Sequence, residues 1–278
     1  MTPAAWIGLV VMIGSEAGTL AHVEPFWSWN TPICWTGFIL FADTIVFRAT
    51  GRSWIRSTPR EFVFLALASI PLWLIFEFYN RFINNWFYVG LPENMALRYF
   101  GYAWSFATIW PAIFEGAALV AVARGYRGGT ELRGGGRWRP VPTFPIVIGA
   151  VMLASPFVVS PAVARYLAAP VWLGFILLLD PINDRIGGSS LVREAREGRY
   201  DTAINLCLSG FLCGLLWEFW NYWSRSKWHY TVPIMENVKL FEMPLPGFLG
   251  FPAFALECFT MWIFVRTAVR NLGRKTTL

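Results

Sequence analysis

The chain has 278 residues, of which 56% are hydrophobic, 18% aromatic and 14% charged, and its mean hydropathy is +0.47. Soluble domains of this length carry nearer a quarter charged residues, so the composition excludes an ordinary soluble protein and indicates an integral membrane protein. The net charge is +6, but the positions of the basic residues argue against nucleic acid as a partner.

Seventeen of the 23 lysines and arginines lie in four clusters, at residues 48–60, 124–139, 185–199 and 266–275. Each cluster follows a pair of apolar segments, which is the distribution that the positive-inside rule produces. The clusters therefore predict cytoplasmic loops. Both termini are predicted to lie on the same cytoplasmic side as these loops. We expect the protein in a bacterial cytoplasmic membrane.

Eight apolar segments are predicted to span the bilayer, and each is near the length that hydrocarbon requires. In chain order they cover residues 4–21, 33–47, 62–80, 104–123, 145–159, 163–179, 202–223 and 251–265. Residues 125–142 are rich in Gly and Arg and read as a cytoplasmic linker. The predicted domains are a first membrane repeat at 1–124, this linker, and a second membrane repeat at 143–278.

The two halves of the chain match in order. The matching landmarks are 35–43 with 172–180, 76–80 with 217–221, 86–88 with 228–230, 93–94 with 236–237, and 111–115 with 252–257. An even number of spans in each half places both halves in the same orientation. The predicted fold is an all-α integral membrane protein with eight transmembrane helices, arranged as two tandem parallel four-helix repeats.

Two copies of one polar pair close long apolar runs. Glu77 and Asn80 form the first pair, Glu218 and Asn221 the second, and three-residue spacing places each pair on one helix face. Polar groups at such positions usually face a protein interior or a watery cavity. We therefore interpret all four as candidate catalytic residues.

Glu115 and Glu257 are predicted to lie near the middle of the membrane. Desolvation there favours the neutral carboxyl group, which is a proton donor, so both are candidate catalytic acids. The alternative is that each is a neutral structural residue that hydrogen-bonds to neighbouring helices, including Asn80 and Asn221.

Aromatic residues surround the two polar pairs, and they allow two interpretations. An interfacial aromatic belt is expected at this depth in any membrane protein. The sharper hypothesis is a substrate-binding pocket whose rings stabilise a carbocation by cation–π attraction. Its predicted residues are Trp217, Trp220, Trp228 and Tyr230, with Trp86 and Tyr88 from the first half.

Metal ligands are scarce in this sequence. It contains two histidines and four cysteines, and the cysteines lack CxxC spacing and lie within apolar segments. We predict no metal site and no cofactor.

The second half also carries a family resemblance. It reads Trp217-Glu218, then Asn221-Tyr222, Trp228-x-Tyr230, and Pro252 ahead of Glu257. This order is similar to the lycopene cyclase domain family of membrane carotenoid cyclases, which is also built from tandem membrane repeats. One Glu stands in place of the family's Pro-x-Glu-Glu doublet, and two residues separate the acid from the Asn.

The resemblance implies a cofactor-free, proton-initiated cyclisation of an isoprenoid chain with carboxylic acids as proton donors. Carried over by position, it implies Glu218, Asn221 and Glu257 as the second-half site. Their first-half counterparts are Glu77, Asn80 and Glu115.

The leading hypothesis is an intramembrane enzyme that cyclises or isomerises an isoprenoid or other lipid by protonating an alkene. One alternative is a proton-coupled transporter, since duplicated carboxylates at several depths also describe a proton relay. Another is a non-catalytic lipid-binding or assembly protein. The expected partners are the bilayer and a membrane lipid or isoprenoid substrate, with no nucleic acid. The sequence leaves the oligomeric state open.

Overall fold

The computed structural model describes residues 3–125 and 141–275. In chain order, the helices are α1 (Pro3–Leu20), α2 (Phe26–Thr50), α3 (Trp54–Ser57), α4 (Pro59–Ile83), α5 (Met95–Ala123), α6 (Phe144–Val158), α7 (Pro161–Ala164), α8 (Ala168–Arg185), α9 (Leu191–Arg196), α10 (Asp201–Trp223) and α11 (Gly250–Lys275). A short 3₁₀ helix, Leu245–Leu249, precedes α11. The predicted linker at 125–142 lies almost wholly outside the described residues.

The helical character agrees with the sequence, since a helix forms in each of the eight predicted segments. Within the described residues, six helical runs are long and apolar enough to cross a membrane: α1, α2, α4, α5, α10 and Leu245–Gly273, which contains α11. The other two predicted segments do not form helices of this length and hydropathy. Helix α6 has only 15 residues. The predicted span at 163–179 is broken, because α7 ends at Ala164 and α8 begins at Ala168.

Two helices begin earlier than the sequence predicted. Helix α2 begins at Phe26 rather than residue 33, and a kink at Trp29 (φ −122°, ψ 27°) lets the chain continue through Pro32. Helix α5 begins at Met95 rather than residue 104. The side chain of Asn94 caps it by accepting hydrogen bonds from two backbone N–H groups of its first turn, at 2.9 and 3.2 Å.

Two short strands replace the aromatic loops expected from the sequence. Strand β1 (Trp86–Val89) follows α4, strand β2 (Lys227–Tyr230) follows α10, and the two pair antiparallel. The register places Trp86 opposite Tyr230 and Tyr88 opposite Trp228. Side chains alternate between the faces of a strand, so these four aromatic residues share one face of the sheet.

The second half contains an insertion that the first half lacks. A hairpin of β3 (Lys239–Leu240) and β4 (Met243–Pro244) lies between β2 and α11, and it is followed by the 3₁₀ helix. Asn94 caps α5 directly, whereas Asn237 lies in the exposed segment before this hairpin. The proposed match of 93–94 with 236–237 therefore does not extend to a shared structural role.

Glycines bring two helix pairs into close contact. A Cβ atom on Gly8 of α1 would lie 2.6 Å from the backbone oxygen of Gly37 in α2. A Cβ atom on Gly149 of α6 would lie 2.6 Å from the backbone oxygen of Gly174 in α8. Both distances are shorter than van der Waals contact, so only glycine allows the backbones to approach this closely.

Two buried aspartates organise the opposite end of the bundle from the sheet. Asp43 accepts a hydrogen bond from the Ile55 N–H of α3 at 2.9 Å and pairs with Arg56 at 3.4 Å. Asp180 accepts one from the Leu191 N–H of α9 at 2.7 Å. Helices α4 and α10 run from these short basic helices to β1 and β2, so the sheet and the basic segments lie at opposite ends.

Candidate functional site

An aromatic cavity of about 420 Å³ lies at the sheet end of the bundle. Its lining includes seven tryptophans: Trp29, Trp35, Trp73, Trp86, Trp172, Trp217 and Trp228. The shared face of β1 and β2 closes one side, and Phe254 of α11 contributes from the helices below. A concave, largely apolar site of this size is typical of small-molecule binding.

Five of the six predicted substrate-binding aromatic residues line this cavity: Trp86, Tyr88, Trp217, Trp228 and Tyr230. Trp220 does not. Its buried ring packs against Trp35 at a centroid distance of 4.8 Å, and its backbone oxygen accepts a hydrogen bond from Asn30 at 3.2 Å. The start of α2 covers Trp220, so this residue packs helices together, and its part in substrate binding stays a prediction.

Glu218 reaches the cavity through Tyr230. The Tyr230 hydroxyl donates to Glu218 Oε1 at 2.8 Å and accepts from Trp228 Nε1 at 2.9 Å. Glu218 is fully buried, and its Oε2 has no hydrogen-bond partner within the described part of the chain. Burial, and then the neighbouring Glu218, raise the pKa of Tyr230 well above its usual value. The phenol therefore stays neutral and keeps a transferable proton.

Glu77 and Tyr88 form the corresponding pair in the first half, with more donors. The Tyr88 hydroxyl donates to Glu77 Oε1 at 2.5 Å, and the indole N–H groups of Trp73 and Trp86 donate to the same oxygen at 2.9 and 3.3 Å. Burial, and then Glu77, raise the pKa of Tyr88. Trp73 was not singled out from the sequence, although its position four residues before Glu77 places it on the same helix face.

The tyrosine of each pair, rather than the acid, lines the cavity. Tyr88 and Tyr230 line it, whereas neither Glu77 nor Glu218 does. No lysine or arginine of the described residues forms an ion pair with either acid. In each pair the tyrosine hydroxyl is the titratable group that joins the acid to a residue of the cavity lining.

The two candidate asparagines hold the strands. Asn221 accepts from the Trp228 N–H at 2.9 Å and donates to the Trp228 carbonyl oxygen at 2.9 Å. Asn80 makes the equivalent bonds with Trp86, at 3.2 and 2.8 Å. These contacts engage both polar atoms of each amide with backbone groups. The observed contacts of both asparagines are therefore structural, and they aim the strand aromatics at the cavity.

Glu115 and Glu257 lie outside the cavity lining. Both are fully buried, and all four of their carboxyl oxygens lack a hydrogen-bond partner among the described residues. The expected bonds to Asn80 and Asn221 are absent, because those amides hold the strands. Glu257 follows the cavity residue Phe254 by three positions on α11, so it lies about one helical turn farther from the sheet.

Metal coordination finds no support in the arrangement of side chains. Across residues 3–125 and 141–275, no group of three or more His, Cys, Asp or Glu side chains is placed to hold a metal ion.

No protein-family model, curated protein or solved structure matches this chain. The similarity of the second half to the lycopene cyclase domain family therefore stays a prediction.

Proposed function

We propose that this protein is an integral membrane enzyme that binds an isoprenoid or other lipid chain in the aromatic cavity and acts on it by acid catalysis. The observation that carries the proposal is the presence of two Glu–Tyr pairs, Glu218–Tyr230 and Glu77–Tyr88, on one aromatic cavity. Paired acids in different surroundings are the usual way for one site to supply and remove a proton.

The surroundings of the two acids suggest different roles. Glu218 is fully buried and accepts one direct hydrogen bond, so the neutral, proton-carrying form suits it. Glu77 accepts three, from Tyr88, Trp73 and Trp86, and such donors favour a carboxylate. Glu218 is thus the proposed acid and Glu77 the proposed base.

The proposed reaction passes protons through the two phenols. The phenol proton of Tyr230, which is directed at Glu218 Oε1 in the structure, turns to an alkene carbon, and the Glu218 carboxyl proton moves to the phenol oxygen. Tryptophan faces such as those of Trp73 and Trp217 stabilise the resulting cation. After cyclisation or a double-bond shift, a neighbouring C–H loses its proton to Tyr88, whose own proton passes to Glu77. The net change in the substrate is an isomerisation without a co-reactant. Exchange with water then returns a proton to Glu218 and removes one from Glu77 before the next turnover.

The finer architecture that we propose is a tandem duplication of parallel four-helix repeats with eight spans. The strand register supports it, because Phe87 pairs with His229, its own counterpart in the other half. Such self-paired positions arise when two like elements meet at a twofold axis. The repeated glycine contacts between α1 and α2 and between α6 and α8 also support it.

We further propose that the basic ends of the helices and both termini face the cytoplasm of a bacterium. The sheet and cavity would then lie on the outer side. Support comes from the basic clusters at the end of the bundle opposite the sheet.

Proton-coupled transport is the second candidate, and one observation favours it. Glu115 and Glu257 are fully buried acids on the far side of the cavity from the sheet, and intramembrane acids at several depths are typical of a proton relay. The cavity itself opens among elements of the sheet end alone, which suits an enzyme or a lipid-binding protein better than alternating access. Proton uptake by proteoliposomes supplied with lipid substrate would favour transport.

Deuterium incorporation tests the catalytic proposal. Purified protein is incubated in D₂O with the lipids that co-purify with it, and mass spectrometry measures deuterium at non-exchangeable C–H positions. We expect incorporation by the wild-type protein and a loss of about 100- to 10,000-fold in Tyr230→Phe and Glu218→Gln, the usual contribution of a positioned acid.

Two variants serve as matched controls. Tyr222→Phe removes the hydroxyl of an exposed tyrosine near the same end of α10, and Glu257→Gln alters an acid outside the cavity lining. Both are expected to keep turnover within a few-fold of the wild-type rate. A large loss in Glu257→Gln alone would restore Glu257 as the proton donor. Equal incorporation in Tyr230→Phe and wild type would refute the phenol relay.

A further inference from the structure

The charged groups that line the cavity are all basic. They are Arg98, Arg165 and Lys227, and no aspartate or glutamate is among the described residues of the lining. This asymmetry has no role in the proton transfer proposed above. It bears instead on whether the ligand carries a charged group as well as an apolar chain.

The three basic side chains differ in their partners. Lys227 forms an ion pair with Glu242 at 3.2 Å, which offsets its charge. Arg98 donates to the Pro92 carbonyl oxygen at 2.9 Å, and Arg165 to the Thr231 carbonyl oxygen at 3.5 Å. Neither arginine forms an ion pair within the described residues, so two uncompensated guanidinium groups border the cavity.

Both arginines lie at the sheet end, where the cavity meets the outer surface of the bundle. Arg98 is in the first turn of α5 and is partly exposed. Arg165 is exposed just after α7, and its backbone oxygen accepts a hydrogen bond from Asn85, the residue before β1, at 2.9 Å. The two arginines therefore lie at the exposed rim of the cavity, while the rings of Trp73 and Phe254 line its apolar interior.

We infer that the cavity takes a single-chain amphiphile with an anionic head group, a carboxylate or a phosphate, bound by Arg98 and Arg165. The planar guanidinium group recognises both anions through paired N–H donors. The chain then lies among the aromatic rings. The inference deepens the proposed function by naming the substrate class, and it rests on that proposal only in assigning the same cavity.

Quenching of tryptophan fluorescence by brominated chains tests the inference. The probes are dibromostearate and dibromostearyl alcohol, which share a chain and differ in head-group charge, and the protein is in a neutral detergent. Bromine within the cavity quenches its tryptophans. We expect the wild-type protein to bind the acid about tenfold or more tightly than the alcohol, because hydrogen bonds to charged groups are the stronger ones.

Single glutamine substitutions locate the head group. Arg98→Gln and Arg165→Gln are each expected to weaken acid binding about tenfold and to leave alcohol binding unchanged, which also shows that the variants are folded. Arg81→Gln is the control, because Arg81 is an exposed arginine of the same end that does not line the cavity. It should change neither affinity.

Inorganic phosphate distinguishes the two sources of an anion. If it fails to displace dibromostearate, the head group of an amphiphile is the occupant, as inferred. Displacement by phosphate at equal concentration, equal affinities for acid and alcohol, or identical behaviour of all three arginine variants would each overturn the inference. Quenching reports binding without turnover. Absence of deuterium incorporation by the wild-type protein, with intact quenching, would therefore count against the proposed function and not against this inference.

Discussion

Tyr88 and Tyr230 line the cavity, and each donates a hydrogen bond to an acid that does not. Each phenol donates to one carboxyl oxygen, at 2.5 Å for Glu77 and 2.8 Å for Glu218. Burial is the main cause of the raised pKa of both phenols. A phenol in such surroundings loses its proton only at unusually high pH.

Alkaline titration checks this directly. Because the pKa of each phenol is raised, its phenolate absorbance should rise well above pH 10, the usual tyrosine pKa. Tyr88→Phe and Tyr230→Phe should each remove one late-titrating tyrosine from the ultraviolet difference spectrum. Identical late absorbance in wild type and both variants would contradict the assignment.

The same shift has a consequence for stability, with a definite sign. The folded state holds these protons more tightly than the unfolded state, so their stabilising contribution is complete below about pH 10 and falls as pH rises towards the folded pKa. Thermal unfolding should therefore show a steeper alkaline loss of stability in the wild type than in the double Phe variant.

The strand pair is the element that turns the aromatic residues towards the cavity, and its attachment to the helices is local. Two four-residue strands are too short to be stable alone. Asn80 fastens β1 to the end of α4, and Asn221 fastens β2 to the end of α10, each through backbone groups of the first aromatic residue of the strand motif. The two asparagines thus supply hydrogen bonds to the strand backbone that neighbouring strands would supply in a larger sheet.

Replacement of Asn221 by alanine should loosen β2. The change removes two hydrogen bonds to Trp228, each worth about 1 kcal/mol, so we expect a loss of about 2 kcal/mol in the free energy of unfolding. Hydrogen exchange at the Trp228 amide should accelerate. Asn237→Ala is the matched control, since Asn237 is exposed in the loop before β3. Unchanged exchange with lost turnover would instead assign Asn221 to the chemistry.

At the scale of the whole molecule, the sheet lies at one end of the bundle and the basic segments lie at the other. Each end takes one element from each half of the chain. Asp43 and Asp180 hold α3 and α9 at one end, and β1 pairs with β2 at the other. If both halves insert in the same orientation, every equivalent pair must lie on the same side of the membrane.

Cysteine labelling tests this orientation in a background without the four native cysteines. Cysteines at the exposed positions Ala49 and Tyr200, at the basic end, should react only with reagent on the cytoplasmic side. Cysteines at the exposed positions Glu93 and Glu236 should react only from outside. If the cysteines at positions 49 and 200 were labelled from opposite sides of the membrane, parallel repeats would be excluded.

The sequence by itself determined the membrane class, the positions of the long helices and the part of the aromatic lining that comes from the repeated motif. Apolar runs specify helices through local periodicity and length, so a helix formed in every predicted segment. Polar breaks are harder to place, because caps and kinks such as Asn94 and Trp29 extend or divide helices through local hydrogen bonds and backbone geometry. The aromatic residues of the repeated motif were recognisable because five of them sit on matched local patterns.

Only the tertiary structure decided which acids reach the cavity. The pairing of β1 with β2 joins residues far apart in the chain, and no local pattern encodes its register. That register places Tyr88 and Tyr230 on one face, where each donates a hydrogen bond to its acid, while Asn80 and Asn221 bond to backbone groups of the strands. Packing also covered Trp220 with α2 and left Glu257 outside the lining. These outcomes depend on contacts between distant segments, which single-residue chemistry and spacing do not specify.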